Sequence, residues 1–223
     1  MVKYVTTVPV KPDYTLEQPF CSLGAVIGVD EAGRGPWAGP VTSTAFWINP
    51  EQKDKLPKSL TDSKKLSEVK REQIRQELCA PVHRHLWAVK HSSVAEIDRL
   101  GILQATFLAM ANSVSALSDL LLQKHKLKVS MVLVDGKLLP PLDVSCQAVV
   151  RGDSRSLSIA AASVLAKQAR DELMRALATN YPDYGWQTNA GYGTKSHQNA
   201  LQEYGVTPHH RKSFKPIKNM LKK

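Results

Sequence analysis

Apolar and polar positions alternate between strand-like and helix-like spacing along the chain. Residues 23–29, Leu-Gly-Ala-Val-Ile-Gly-Val, form an unbroken apolar run of strand length, and 41–48, rich in β-branched and aromatic residues, form a second. A polar stretch with Pro50 and Pro57 then predicts a long loop over 49–66. Ser67 is placed to cap a helix that Pro81 stops, and Ser93 to cap another over 94–100. A short strand is expected over 86–90, and apolar residues at helical spacing predict a long amphipathic helix over 102–123. Two further apolar runs, 129–134 and 144–150, read as strands; the first ends at Asp135-Gly136, the second at Arg151-Gly152-Asp153. A strong helix follows over 156–178. Its small face of Ile159, Ala162, Ala166, Ala169 and Leu173 would lie close on a sheet, with Lys167, Arg170, Glu172 and Arg175 facing elsewhere. Strands first, then alternating helix and strand, give an α/β domain with a mixed sheet.

Composition narrows the class. At 223 residues, with 43% apolar and 22% charged, the chain suits one soluble domain with a proper core. No apolar run is expected to span a membrane, and residues 1–20, interrupted by Lys3, Lys11, Asp13 and Glu17, read as a loosely held arm rather than a signal peptide. The expected location is the cytoplasm. Cys21, Cys79 and Cys146 lie far apart, as suits buried thiols in a reducing compartment, and the pairs His83/His85 and His209/His210 lack the cysteines of a zinc site. A net charge of +10 changes the picture more, because it favours a polyanionic partner. From His209 to Lys223 there are six Lys and Arg residues and no acid, a basic flank.

The acids carry the chemistry. Asp30-Glu31, Asp135 and Asp153 each fall where an apolar strand ends, the place where functional groups gather in open α/β sheets. If the first strand and the 129–134 strand are parallel neighbours, Asp30 and Asp135 stand side by side. Adjacent strand residues point to opposite faces, so Asp30 and Glu31 share a site only if the strand breaks between or just after them, a break that Gly33, Gly35 and Pro36 would provide. Converging carboxylates repel and would protonate unless a cation intervened; all-oxygen ligation suits Mg²⁺ or Mn²⁺. Taken singly, Asp135-Gly136 fits a turn, and Asp153 fits a helix start as well as it fits catalysis.

Asp30-Glu31-Ala32-Gly33-Arg34-Gly35 is followed by "DSKKLS" at 62–67, "VDG" at 134–136, "GD" at 152–153, "IAAASVLAKQARD" at 159–171, "GYGTKSH" at 191–197 and "HRKSF" at 210–214. In that order these blocks resemble the type 2 ribonuclease H (ribonuclease HII) family, from about Gly24 to Phe214. The resemblance implies a ribonuclease H-like fold with a mixed five-stranded sheet flanked by helices and a small helical C-terminal extension. It divides the chain into an arm (1–22), a catalytic domain (23–180) and a substrate-binding extension with a basic tail (181–223).

It further implies a monomeric endonuclease acting on RNA·DNA hybrids and on duplex DNA containing ribonucleotides, leaving 3′-hydroxyl and 5′-phosphate ends. Position by position, Asp30, Glu31, Asp135 and Asp153 would be catalytic and hold paired Mg²⁺ or Mn²⁺ ions. Gly33, Arg34 and Gly35 would read the 2′-hydroxyl, and Tyr192 would pack on the sugar after the RNA-to-DNA junction. Lys64 and Lys65 would form a basic loop that meets phosphates, Arg211 and Lys212 would belong to the phosphate-binding surface, and Lys167 fits either a backbone contact or a solvated surface. The type 3 enzymes carry similar acids but generally lack an arginine where Arg34 stands. A binding protein that lost activity, or a strand-transfer nuclease, would be separated by metal-dependent cleavage that requires a ribonucleotide.

Overall fold

The structure is a computed structural model and describes residues 11–222. Five strands form one mixed sheet: β1 (Ala25–Ala32), β2 (Val41–Trp47), β3 (Leu86–Ser92), β4 (Val129–Asp135) and β5 (Cys146–Val149), in the order β3-β2-β1-β4-β5. The β1/β2 and β2/β3 pairs are antiparallel, whereas β1/β4 and β4/β5 are parallel. Seven α-helices accompany them: α1 (Glu68–Leu78), α2 (Val94–Leu100), α3 (Ile102–His125), α4 (Leu157–Asn180), α5 (Trp186–Asn189), α6 (Lys195–Tyr204) and α7 (Lys215–Met220).

Helices cover both faces of the sheet, which is why its central strands read as continuous apolar runs rather than alternating ones. Ala25, Ile27 and Val29 of β1, with Val132 and Val134 of β4, pack against Met110, Val114, Leu117 and Leu121 of α3. The opposite face carries Val26, Leu133 and Phe46 against α4 and α1. Gly28 lies on that second face, where a Cβ would stand 2.2 Å from the carbonyl carbon of Ser158. Its lack of a side chain lets the first turn of α4 rest directly on β1. By length and composition α3 would suffice to cross a bilayer, contrary to the expectation that no segment qualifies; here its buried side chains, including Ala105, Ala109 and Leu117, form the core under the sheet.

Caps fall where the sequence puts them. Ser67 accepts from the Lys70 amide at 3.3 Å, and Ser93 and Glu96 close a reciprocal capping box at 3.2 and 2.7 Å. Ser156 accepts from the Ile159 amide at 3.1 Å and starts α4. The 49–66 segment contains 3₁₀ turns at Pro50–Lys55 and Ser63–Lys65. Cys21, Cys79 and Cys146 stand free.

One departure concerns the start of the chain. Residues 1–10 of the expected arm lie outside the described residues, but its remainder is held, not loose. Asp13 bridges to Ser156, and Glu17 is fully buried, its Oε1 accepting from Ser156 Oγ (2.6 Å), Ser158 N (2.9 Å) and Ser158 Oγ (2.7 Å). That carboxylate sits at the positive end of α4, where amide donors are otherwise unsatisfied. Towards the C-terminus, Tyr184, Trp186, Ala200, Leu201 and Ile217 pack with Met174 and Ala178 of α4 and with Ala38.

Candidate metal centre and substrate cleft

The register decides which acids meet. Val29 pairs with Val134 across β1 and β4, so Asp30 and Asp135 follow side by side at the carboxyl ends of neighbouring parallel strands. Both then point to the α4 face, one step past residues that point to α3. Asp153 arrives from the 3₁₀ turn Gly152–Ser154 between β5 and α4, and Gly152 N donates to Asp135 Oδ1 at 2.6 Å.

β1 ends just after the two acids: its last residue, Ala32, pairs with Thr42, and the chain leaves the strand at Gly33, whose φ is +94°. Glu31 therefore starts on the α3 face, where it lines a cavity with Thr106, Met110 and Asp135, and it also lines the cleft on the other side with Lys64 and Tyr192.

Electrostatics show the four acids acting on one another. Asp30 is 3% exposed, and its pKa is raised well above the ordinary value by burial and then by the charges of Glu31 and Asp135. A hydrogen bond from Ser163 and one from the Glu31 amide, at 2.7 Å, oppose the rise. Glu31 is raised chiefly by burial; Arg34, 3.4 Å away, opposes and Asp135 adds to it. Asp153 is pushed up to about 6, by burial first, then by Asp62 and Asp135. Lys64 faces Asp30, Asp62, Asp153 and Asp135: burial alone would lower its pKa, but their charges hold it above its ordinary value.

An acid this buried beside two others is the situation a cation relieves. The donor set is all oxygen and suits a hard divalent ion. Among the described residues, no three His, Cys, Asp or Glu side chains stand close enough as placed to clasp one ion, so the acids are gathered but not closed on a point.

Gly33, Arg34, Gly35, Lys64 and Tyr192 line a single cleft of about 200 Å³ together with Glu31, Ser63, Lys167 and Arg170. Tyr192 is 48% exposed, and a Cβ on Gly35 would stand 3.4 Å from its Cε1. Lys167 borders the cleft while bound to Asp171 at 2.7 Å.

Two arginines depart from expectation. Arg211, expected on a phosphate-binding surface, is fully buried, and Arg170, expected to face elsewhere than the core, is 1% exposed. Both donate to backbone carbonyls of the Gly33–Pro40 loop, which has no regular secondary structure to satisfy them. Lys212 does stay exposed. Sequence reading also passed over Asp62, whose charge helps to raise the pKa of Asp153, and Ser163, which opposes the rise at Asp30 and whose hydroxyl stands 2.9 Å from that of Ser63. Asp62 was visible as the first residue of "DSKKLS"; Ser163 lay hidden in the small face of α4.

In sequence and in fold the chain is similar to known proteins. The family model described as Ribonuclease HII matches residues 27–217. A Ribonuclease HII from Paracoccus denitrificans is 49% identical over 213 residues, covering 94% of this chain and 95% of the relative. In fold, the ribonuclease H2 of Pyrococcus horikoshii OT3 aligns with a TM-score of 0.70 at 22% identity, over 89% of this chain and 97% of the other. Bst-RNase HIII in complex with Mn²⁺ aligns at 0.69 and 17% identity, over 89% and 69%. A mixed five-stranded sheet, acids at its parallel strand ends and a match along nearly the whole chain place this protein in the ribonuclease HII family, endonucleases that cut the RNA strand of RNA·DNA hybrids.

Proposed function

We propose that this protein hydrolyses RNA within RNA·DNA hybrids and also cuts at ribonucleotides embedded in duplex DNA, leaving 3′-hydroxyl and 5′-phosphate ends. The observation that carries the reading is the side-by-side placement of Asp30 and Asp135, electrostatically joined by Glu31 and Asp153. These four would hold paired Mg²⁺ or Mn²⁺; the Mn²⁺ bound by the type 3 neighbour supports a divalent ion of this kind. When bound, such ions lower the pKa of water and stabilise charge on the attacking and leaving oxygens.

The chain's own residues supply position and selectivity. Main-chain groups of Gly33, Arg34 and Gly35 would meet the 2′-hydroxyl, the one group that marks a ribonucleotide in DNA. Tyr192, against Gly35 and open to the cleft, would pack on the next sugar, where a 2′-hydroxyl would crowd the ring. Lys64 would neutralise acids before metal arrives and phosphate afterwards. We further propose that the protein works as a cytoplasmic monomer.

The deciding experiment is cleavage of a duplex carrying one ribonucleotide, with ends mapped, in Mg²⁺ and in Mn²⁺. A single cut at the ribonucleotide, with the ends named, is expected. Binding without cutting in both metals, or cutting of an all-DNA duplex, would overturn the proposal.

A further inference from the structure

The loop from Gly33 to Pro40 is held by two buried guanidinium groups, and among the described residues no carboxylate is bonded to either. Arg211 donates through Nη2 to Gly33 O (2.6 Å) and Pro40 O (3.0 Å), through Nη1 to Arg34 O (2.9 Å) and through Nε to Gly39 O (2.9 Å). Arg170 donates to Pro40 O (3.1 Å), Ala38 O (3.0 Å) and Ala190 O (2.8 Å). Gly33 rests on Arg170 itself: its φ is +94°, and a Cβ there would stand 1.9 Å from Arg170 Nε. Burying two like charges side by side is expensive, and each guanidinium is driven below its ordinary pKa, first by burial. Satisfying carbonyls needs donors, not charge, so the geometry is the informative part.

A trans peptide points its C=O and N–H in opposite directions. No peptide bond among the described residues is cis. With Gly33 O and Arg34 O both turned inward to Arg211, the N–H groups of Arg34 and Gly35 turn outward. Gly33, Arg34 and Gly35 line the cleft and Arg211 does not, so outward means into the cleft. Among the described residues neither N–H finds an acceptor in the protein. We propose that Arg211 is a positioning residue: its fork fixes the Gly33-Arg34-Gly35 peptides so that two amide donors face a ribonucleotide's 2′-hydroxyl.

The same bracing ties the donors to Tyr192. Arg170 holds Ala190 O, while Trp37 N and Ala38 N donate to Gly191 O at 2.8 and 3.3 Å. Lysine cannot replace either arginine in this role, because one ammonium cannot present a planar fork to several carbonyls.

This inference rests on the functional reading above, and affinity measured without divalent metal separates the two. Wild-type protein should bind a duplex with one ribonucleotide more tightly than the same all-DNA duplex. Arg211→Lys should lower that ratio by about tenfold, with all-DNA affinity retained. A ratio left intact by Arg211→Lys, with only the melting temperature reduced, would overturn the positioning role. A wild-type ratio of one would overturn the functional reading, and the positioning role with it. Should the variant fail to fold, amide hydrogen exchange on wild-type protein answers instead. The Arg34 and Gly35 amides should exchange rapidly when free and slow on binding the ribonucleotide duplex, but not the all-DNA one. Amides already slow, or slowed equally by both duplexes, would overturn the proposal.

Discussion

Gly152 donates its amide proton to Asp135 Oδ1 across 2.6 Å, joining the turn that carries Asp153 to the end of β4. A Cβ at residue 152 would come within 2.6 Å of Ile159 Cδ1 and 3.2 Å of Asp135 Oδ1. Gly152→Ala would therefore push the turn away from the strand and separate two acids that must act together. The expected result is a fall in kcat/KM of about a hundredfold, since small misplacements at a reacting centre cost that much. The melting temperature should drop by only a few degrees. Unchanged turnover in the folded variant would show that the turn's approach to β4 does not matter.

Asp153 gives the metal-free protein a signature in pH. Its folded pKa, about 6, lies above the ordinary 3.8 because burial and the neighbouring Asp62 and Asp135 disfavour its charge. A carboxyl group raised in this way contributes stability in full below pH 3.8, and that contribution is lost as pH rises through about 6. Relative to Asp153→Asn, wild-type protein in chelator should thus lose a few degrees of melting temperature between pH 4 and 7. Divalent metal should reverse the loss, because cation binding favours the ionised acids. A gap between the two proteins that does not change with pH would remove Asp153 from the group of coupled acids.

How much of this could be read from the chain varies by element, for physical reasons. Ser67 and Ser93 announce their helices because capping is a local interaction of side chain with nearby amides. Asp30 and Asp135 stood out only together, because acids at the ends of several apolar runs meet if the strands are parallel neighbours. For Glu31 the glycines that follow marked where β1 ends, but which residue is the last to pair depends on the partner strand, here Thr42 of β2. Arg170 and Arg211 were illegible in their burial. Charged residues normally face water, and only a distant irregular loop full of unmet carbonyls brings them inside. Glu17 was missed likewise, since the helix end it serves begins 140 residues later, at Leu157.

Asp30 separates catalysis from affinity. The side chain is 3% exposed and accepts from the Glu31 amide at 2.7 Å, so asparagine, whose amide oxygen also accepts, fits the space while losing the charge that would hold a cation. Asp30→Asn should reduce hybrid cleavage by at least about a thousandfold, as loss of an acting group at the reacting centre does. Hybrid affinity should change little, because phosphates are met elsewhere. In chelator near pH 8 the variant should melt at a higher temperature than wild type, since a buried, crowded carboxylate no longer has to ionise. Near-normal turnover would take Asp30 out of the metal centre.

Tyr192 is the residue through which substrate preference would show. Its ring is half exposed, lies against Gly35 and is carried by a backbone braced through Gly191 to Trp37 and Ala38. A ring so fixed has little freedom to adapt, so it suits one kind of sugar better than another. Tyr192→Ala should reduce cleavage at a single embedded ribonucleotide about tenfold more than cleavage of an all-RNA hybrid, a difference in the range of one lost stacking contact. Tyr192→Phe, which keeps the ring and discards the hydroxyl, should retain the preference. Rates on both substrates across the three proteins give the comparison. Equal losses on the two substrates in Tyr192→Ala would mean that the ring supports the loop rather than reads the junction.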